Sequence, residues 1–268
     1  MMQRKAMNEL LIIGLAGFAT GITTVLFGFG GGFVVVPFIY QLLLQQPLLA
    51  AQAMHIAVAT STAVMIFNAG WASYQNWRAG KLHTDILLPL IGFIALGAVI
   101  GSWLAGVISD TWVRRLFMVY MVVTIADCLL RKGFFNRAAP RRLSRMTASA
   151  GGTMIGVIAA MLGVGGSVMT VPLLRRHGYA MRDCVSAANP LSLPVAVLGA
   201  TTYAISGWQQ IPASGYLGFI SMKILLLLVV AGFLGILFAR RWIPAVPDVW
   251  HARIYVLLLC MVLVAIAV

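Results

Sequence analysis

Two glycine clusters stand at matching places in an otherwise apolar chain. Residues 21–37 read GITTVLFGFGGGFVVVP, and residues 156–172 read GVIAAMLGVGGSVMTVP. At one constant offset Gly21 matches Gly156, Gly28 matches Gly163, and Gly30 and Gly31 match Gly165 and Gly166. Ser167 replaces Gly32, and Pro172 matches Pro37. The chemistry such a run offers is that of bare backbone. A helix that restarts after a break leaves its first N–H groups unpaired and its positive dipole end open, which suits a small anion. In hydrocarbon, unpaired backbone survives only where it is buried in protein or lines a cavity. A lone glycine cluster reads equally as close helix packing through small residues. The spaced repetition favours an anion site at Gly30, Gly31, Gly32, Gly165, Gly166 and Ser167.

A segment with hydroxyl and amide side chains follows each cluster: AMHIAVATSTAVMIFNAGW over 53–71 and CVSAANPLSLPVAVLGATTY over 184–203. Setting Tyr74 against Tyr203 places Thr60 and Ser61 opposite Asn189 and Pro190. Thr60, Ser61, Asn189 and Ser192 then supply neutral donors beside the breaks, the chemistry a small oxyanion needs. The plainer alternative is that the Ser and Thr hydroxyls bond back to their own helices.

Three further residues stand out. His55 is either a proton shuttle in a coupled transporter or an interfacial residue. Asn68 lies deeper and lines a path or pairs with a neighbouring helix. Lys223 either snorkels to the interface or stands in an anion path. Asp127, four residues before Arg131, reads as an ion-pair partner. Cys128, Cys184 and Cys260 lack metal-ligand spacing and read as packing residues. Neither a P-loop, HExxH, GxSxG nor a dinucleotide fingerprint in suitable context is present, so the expectation is no enzyme, no cofactor and no metal.

The elements that must position these residues follow from composition. Of 268 residues 61% are hydrophobic and 9% charged, against about 25% charged in soluble domains. Lipid is therefore the solvent for most of the chain. The net charge of +13 resides in short loops, with no soluble domain to offer it to nucleic acid. Apolar runs give ten segments, at about 9–27, 30–44, 53–76, 84–108, 112–130, 147–163, 166–175, 184–206, 214–239 and 252–268. The second and seventh are too short to span and are candidates for half-helices or re-entrant pieces.

The expected fold is an all-α polytopic membrane protein. Residues 1–130 form a first repeat, the basic stretch 131–146 a linker, and residues 147–268 a second repeat. Five segments per half make the second repeat inverted. Most Lys and Arg then fall on the side of the linker, which places it in the cytoplasm and both termini outside. The tryptophans fall mostly near segment ends, as interfacial anchors do.

The paired motifs GxGGGxxxxP and GxGGSxxxxP, with the ATS segment after the first, resemble those of the sulfite exporter TauE/SafE family over nearly the whole chain. The resemblance implies a multi-pass carrier in a bacterial inner membrane. Its cargo would be a small anion such as sulfite or an organosulfonate, exported along an ion gradient by alternating access. It points to the same glycines and Ser167, with Thr60, Ser61 and Asn189 behind them. The chain departs from the family where ANP stands for a more usual GTS-like triplet. A passive anion channel of the same fold and a non-transport membrane subunit remain as alternatives. Lipid and a small anion are the expected partners, and a homodimer is left open.

Overall fold

The computed structural model describes residues 2–82, 84–130, 134, 141, 143–208, 210–211, 214–244 and 246–267, with side chains from Met7 onward. Most of the 131–146 linker lies outside the described residues. Among the described residues ten α-helices follow one another: α1 (Met2–Phe27), α2 (Gly32–Leu44), α3 (Ala53–Arg78), α4 (Thr84–Ala105), α5 (Asp110–Leu130), α6 (Gly152–Leu162), α7 (Ser167–Arg176), α8 (Met181–Ser206), α9 (Met222–Trp242) and α10 (Asp248–Ala267). The sole sheet among the described residues is a hairpin, in which Tyr216–Leu217 (β1) pairs antiparallel with Ile220–Ser221 (β2).

Among the described residues six helices are long and apolar enough to cross a membrane. Among them α3 and α8 have the lowest mean hydropathy, 1.4, and the greatest burial, 67% and 72% of their apolar windows. Helices α1, α4, α9 and α10 reach 2.2 to 2.6 with only 33% to 39% buried. The difference has one cause. Helices α3 and α8 pack against each other at the centre, where protein rather than lipid surrounds their polar side chains. The outer helices turn Leu, Val, Phe and Trp outward, with Trp103, Trp242 and Trp250 among them; the other four tryptophans are exposed as well.

The outer helices pair by close backbone approach. A Cβ on Gly21 would lie 2.1 Å from the Gly232 carbonyl oxygen, and one on Gly235 would lie 2.1 Å from that of Phe18, so α1 and α9 touch main chain to main chain. Helices α4 and α6 do the same at Gly97, Gly101 and Gly156. These are small-residue helix contacts, and they account for Gly21 and Gly156 as packing residues.

The ninth segment shifts most from its expected limits. Residues 214–221 form the hairpin instead of helix, and α9 starts at Met222. Gly215 and Gly218, with φ of 86° and 57°, permit turns that L side chains rarely adopt. Lys223 is thus the second residue of α9 and is exposed.

Candidate transport site

The chain breaks where the glycines cluster. Between α1 and α2, Gly28, Gly30 and Gly31 have φ of 71°, 63° and 103°. Between α6 and α7, Gly163 and Gly165 have φ of 65° and 72°. Only glycine adopts these angles at little cost, so each cluster turns the chain back into a half-length helix. Helices α2 and α7 have 13 and 10 residues. Both breaks are fully buried.

The two breaks meet. A Cβ on Gly32 would lie 2.5 Å from the Gly163 carbonyl oxygen. The Ser61 hydroxyl lies against both carbonyls, 2.7 Å from Gly163 O and 3.1 Å from Gly32 O. Losing this contact should cost about 1–2 kcal/mol. Ser61→Ala is therefore expected to lower the melting temperature in detergent by a few degrees; an unchanged value would mean the breaks hold without it. Between the breaks stands Met65, fully buried, its side chain 2.8 Å from a Cβ on Gly30 and 2.6 Å from one on Gly165. Met65 was not singled out in the sequence, where it reads as one apolar residue among many.

Other expected site residues divide between the two breaks. Asn68 is fully buried beside the start of α2, with Nδ2 3.2 Å from a Cβ on Gly31, and neither amide atom has a partner among the described residues. Thr20 shares that corner through its methyl, 2.9 Å from a Cβ on Gly31, and its buried hydroxyl has no partner among the described residues. Ser167, the first residue of α7, has a buried hydroxyl without a partner among the described residues. Ser192 adjoins Gly165, but its hydroxyl donates to Ala188 O of its own helix. Asn189 donates to Thr24 O at 3.2 Å, just before the first break. Thr60 accepts the Ser221 N–H at 3.0 Å instead of facing a break. Gly166 has an ordinary helical φ of −65° and room for a Cβ. Lys223 joins neither break.

One cavity leads from the surface toward this centre. It has about 230 Å³ and runs from Lys81, Arg182 and Arg240 past Asn76, Ser186 and His251 to Asn189. No acidic residue among those described lines it. The Arg240 guanidinium is held by Asn76 Oδ1 at 2.8 Å, while its buried Nε has no partner among the described residues. This end of the molecule, the basic face, also holds the ion pairs of Arg175 with Asp248 and of Arg176 with Asp127. Arg131, the residue expected to pair with Asp127, lies outside the described residues.

At the opposite face His55 is buried, its Nδ1 2.8 Å from Asp110 Oδ1 and its Nε2 3.3 Å from Ala105 O. Asp110 also accepts the Met54 and His55 N–H groups, capping α3 from the start of α5. Asp248 does the same for α8 by accepting the Met181 N–H from the start of α10. Neither carboxylate was picked out in the sequence, although a signal exists. DTWVRR at 110–115 and DVWHAR at 248–253 share the pattern D-x-W-x-x-R. The Arg of each copy lies 5.3 Å from its Trp ring, Arg115 over Trp112 and Arg253 over Trp250. No group of His, Cys, Asp and Glu among the described residues could hold a metal ion, and the three cysteines are free.

Two buried helix breaks in contact at the centre of a bundle of spanning helices define a multi-pass membrane protein of the broken-helix type. The sequence profile of the sulfite exporter TauE/SafE family matches residues 13–266, and the chain belongs to that family. It is 25% identical over 199 residues to a probable membrane transporter protein of Haemophilus influenzae, covering 74% of each chain. It is 26% identical over 204 residues to one of Bacillus subtilis, covering 74% of this chain and 80% of the relative. A similar protein of Methanocaldococcus jannaschii shares 22% over 226 residues, covering 82% and 80%.

Proposed function

We propose that the protein is a secondary transporter of a small anion such as sulfite or an organosulfonate, taken up from the basic face and released at the other. The observation that carries this reading is the cavity lined by Lys81, Arg182 and Arg240, with no acidic residue among its described lining, that ends at Asn189 beside the first break. Cations at the mouth of a low-dielectric cleft concentrate anions. Beyond the mouth the charges cease. The unpartnered atoms of Thr20, Asn68 and Ser167, with the N-termini of α2 and α7, offer the neutral donors that can hold an oxyanion and still let it leave. Carriage follows alternating access between two inverted repeats, 1–130 and 147–268, with the basic face in the cytoplasm of a bacterial inner membrane. Coupling to an ion gradient is assigned to His55 with Asp110.

The test is thermal stability of the purified protein with sulfite, thiosulfate, sulfoacetate, taurine and simple carboxylates. One anion at about a hundred times its Kd should stabilise the fold by about 2.7 kcal/mol. Removing the charges with Lys81→Gln and Arg182→Gln should weaken that shift several-fold and flatten its dependence on salt. Equal shifts with anions and with neutral analogues would overturn the reading.

A further inference from the structure

The two connections that follow the central helices differ. After α3 the chain crosses to α4 through Ala79–His83 alone, whereas after α8 it runs from Gly207 to Ser221 and includes the hairpin. The hairpin sits at the face opposite the basic cavity. Phe219, 5% exposed, lays its ring 5.4 Å from the His55 ring. Its N–H donates to Tyr203 O at 3.3 Å, and the Ser221 N–H donates to the Thr60 hydroxyl at 3.0 Å. Gly207 and Gly218 let the hairpin come this close. A Cβ on Gly207 would lie 2.5 Å from Phe219 N, and one on Gly218 would lie 2.2 Å from Ala204 O.

Thr60 aligns with Asn189, the residue at the foot of the open cavity. One of this pair is reached by a cavity, and the other is covered by backbone. We infer that the hairpin Tyr216–Ser221 is a lid over a second anion position at Thr60, with Phe219 as its plug and His55 as its seat. The Ser221 N–H occupies the Thr60 oxygen while the lid is down. Lifting the lid uncovers the Thr60 side chain, whose O–H is then open to an anion, and opens a mouth that has Asp110 and His55 in place of three cations. The two faces are therefore gated by different devices, a charged funnel on one and a backbone cover on the other. The inference rests on the carrier reading in that a carrier must open at both faces.

The test needs no knowledge of the cargo. Cys128, Cys184 and Cys260 are replaced by alanine, and Thr60→Cys or Asn189→Cys is added. Sealed vesicles of each orientation are treated with a membrane-impermeant methanethiosulfonate, and modification is read as a gel shift. Thr60→Cys should react slowly from the lid face. Adding Phe219→Ala should speed this reaction at least about tenfold, since the side chain closing the site is gone. Asn189→Cys should react from the basic face at a rate that Phe219→Ala leaves unchanged. Phe219→Leu, which keeps the apolar plug, should restore slow labelling of Thr60→Cys. Thr60→Cys labelling that stays slow with Phe219→Ala, or is fast with the lid intact, would overturn the lid. So would equal acceleration at both positions, which reports general loosening. None of these outcomes depends on which anion binds, so the lid and the anion reading can fail separately.

Discussion

Gly32→Ala is expected to abolish transport and to destabilise the fold, while Gly166→Ala at the matching break is expected to leave both nearly unchanged. The two positions belong to the same motif, and sequence alone gives them the same weight. The structure separates them. A methyl on Gly32 would stand 2.5 Å from the Gly163 carbonyl oxygen and 3.1 Å from the Ser61 hydroxyl. The nearer neighbour is backbone and cannot swing aside, so the two breaks must move apart and Ser61 must release a carbonyl. Overpacking of this kind costs about 1–3 kcal/mol, and the displaced backbone is the proposed binding surface itself. On Gly166 the same methyl would meet Ile155 at 3.4 Å and Leu191 O at 3.5 Å, which are ordinary contacts at an ordinary φ. Uptake into vesicles and melting temperature in detergent should show the contrast. Equal tolerance at both positions would mean that the contact between the breaks is dispensable.

Arg175→Leu should be the most destabilising substitution of a charged residue. Arg175 is almost wholly buried, 1% exposed, and donates to Phe134 O at 2.7 Å, to Tyr179 O at 3.1 Å and to Asp248. Asp248 in turn caps α8 through Met181. Removing the cation takes a buried hydrogen bond from Phe134 O, a half-buried one from Tyr179 O and the ion pair from Asp248, a loss of about 3 kcal/mol. That is the low end of the usual range, because the Asp248 side chain is 35% open to solvent. A clear fall in melting temperature is expected, with far less for Arg182→Gln at the mouth of the cavity. Equal falls would show that Arg175 contributes general charge rather than a buried bracket.

Much of the architecture is legible from the chain. Scarce charge and long apolar runs give spanning helices because hydrocarbon admits no others of this composition. Glycines at fixed spacing give the breaks, since positive φ is nearly theirs alone. The partners of individual polar groups were not legible. Ser61 and Thr60 are neighbours in sequence, yet one joins the two breaks and the other holds the hairpin. Successive residues on a helix point about 100° apart, and what each then meets depends on helices far away in the chain. Ser192 is a case where the plainer alternative describes its bond, made within its own helix.

By itself, then, the sequence determined that the chain is helical, lies in a membrane, and breaks at Gly28–Gly31 and Gly163–Gly166, because these properties follow from local composition and backbone freedom. Only the tertiary structure decided that the breaks touch, that Met65 fills the space between them, that Asp110 and Asp248 cap the central helices, and that residues 214–221 leave the helix to cover Thr60. Those features are contacts between residues 35 to 161 positions apart, such as Met65 with Gly30, Asp110 with His55 and Ser221 with Thr60. No local pattern encodes such a distance. The packing of α3 against α8, with the other helices around them, brings the partners together.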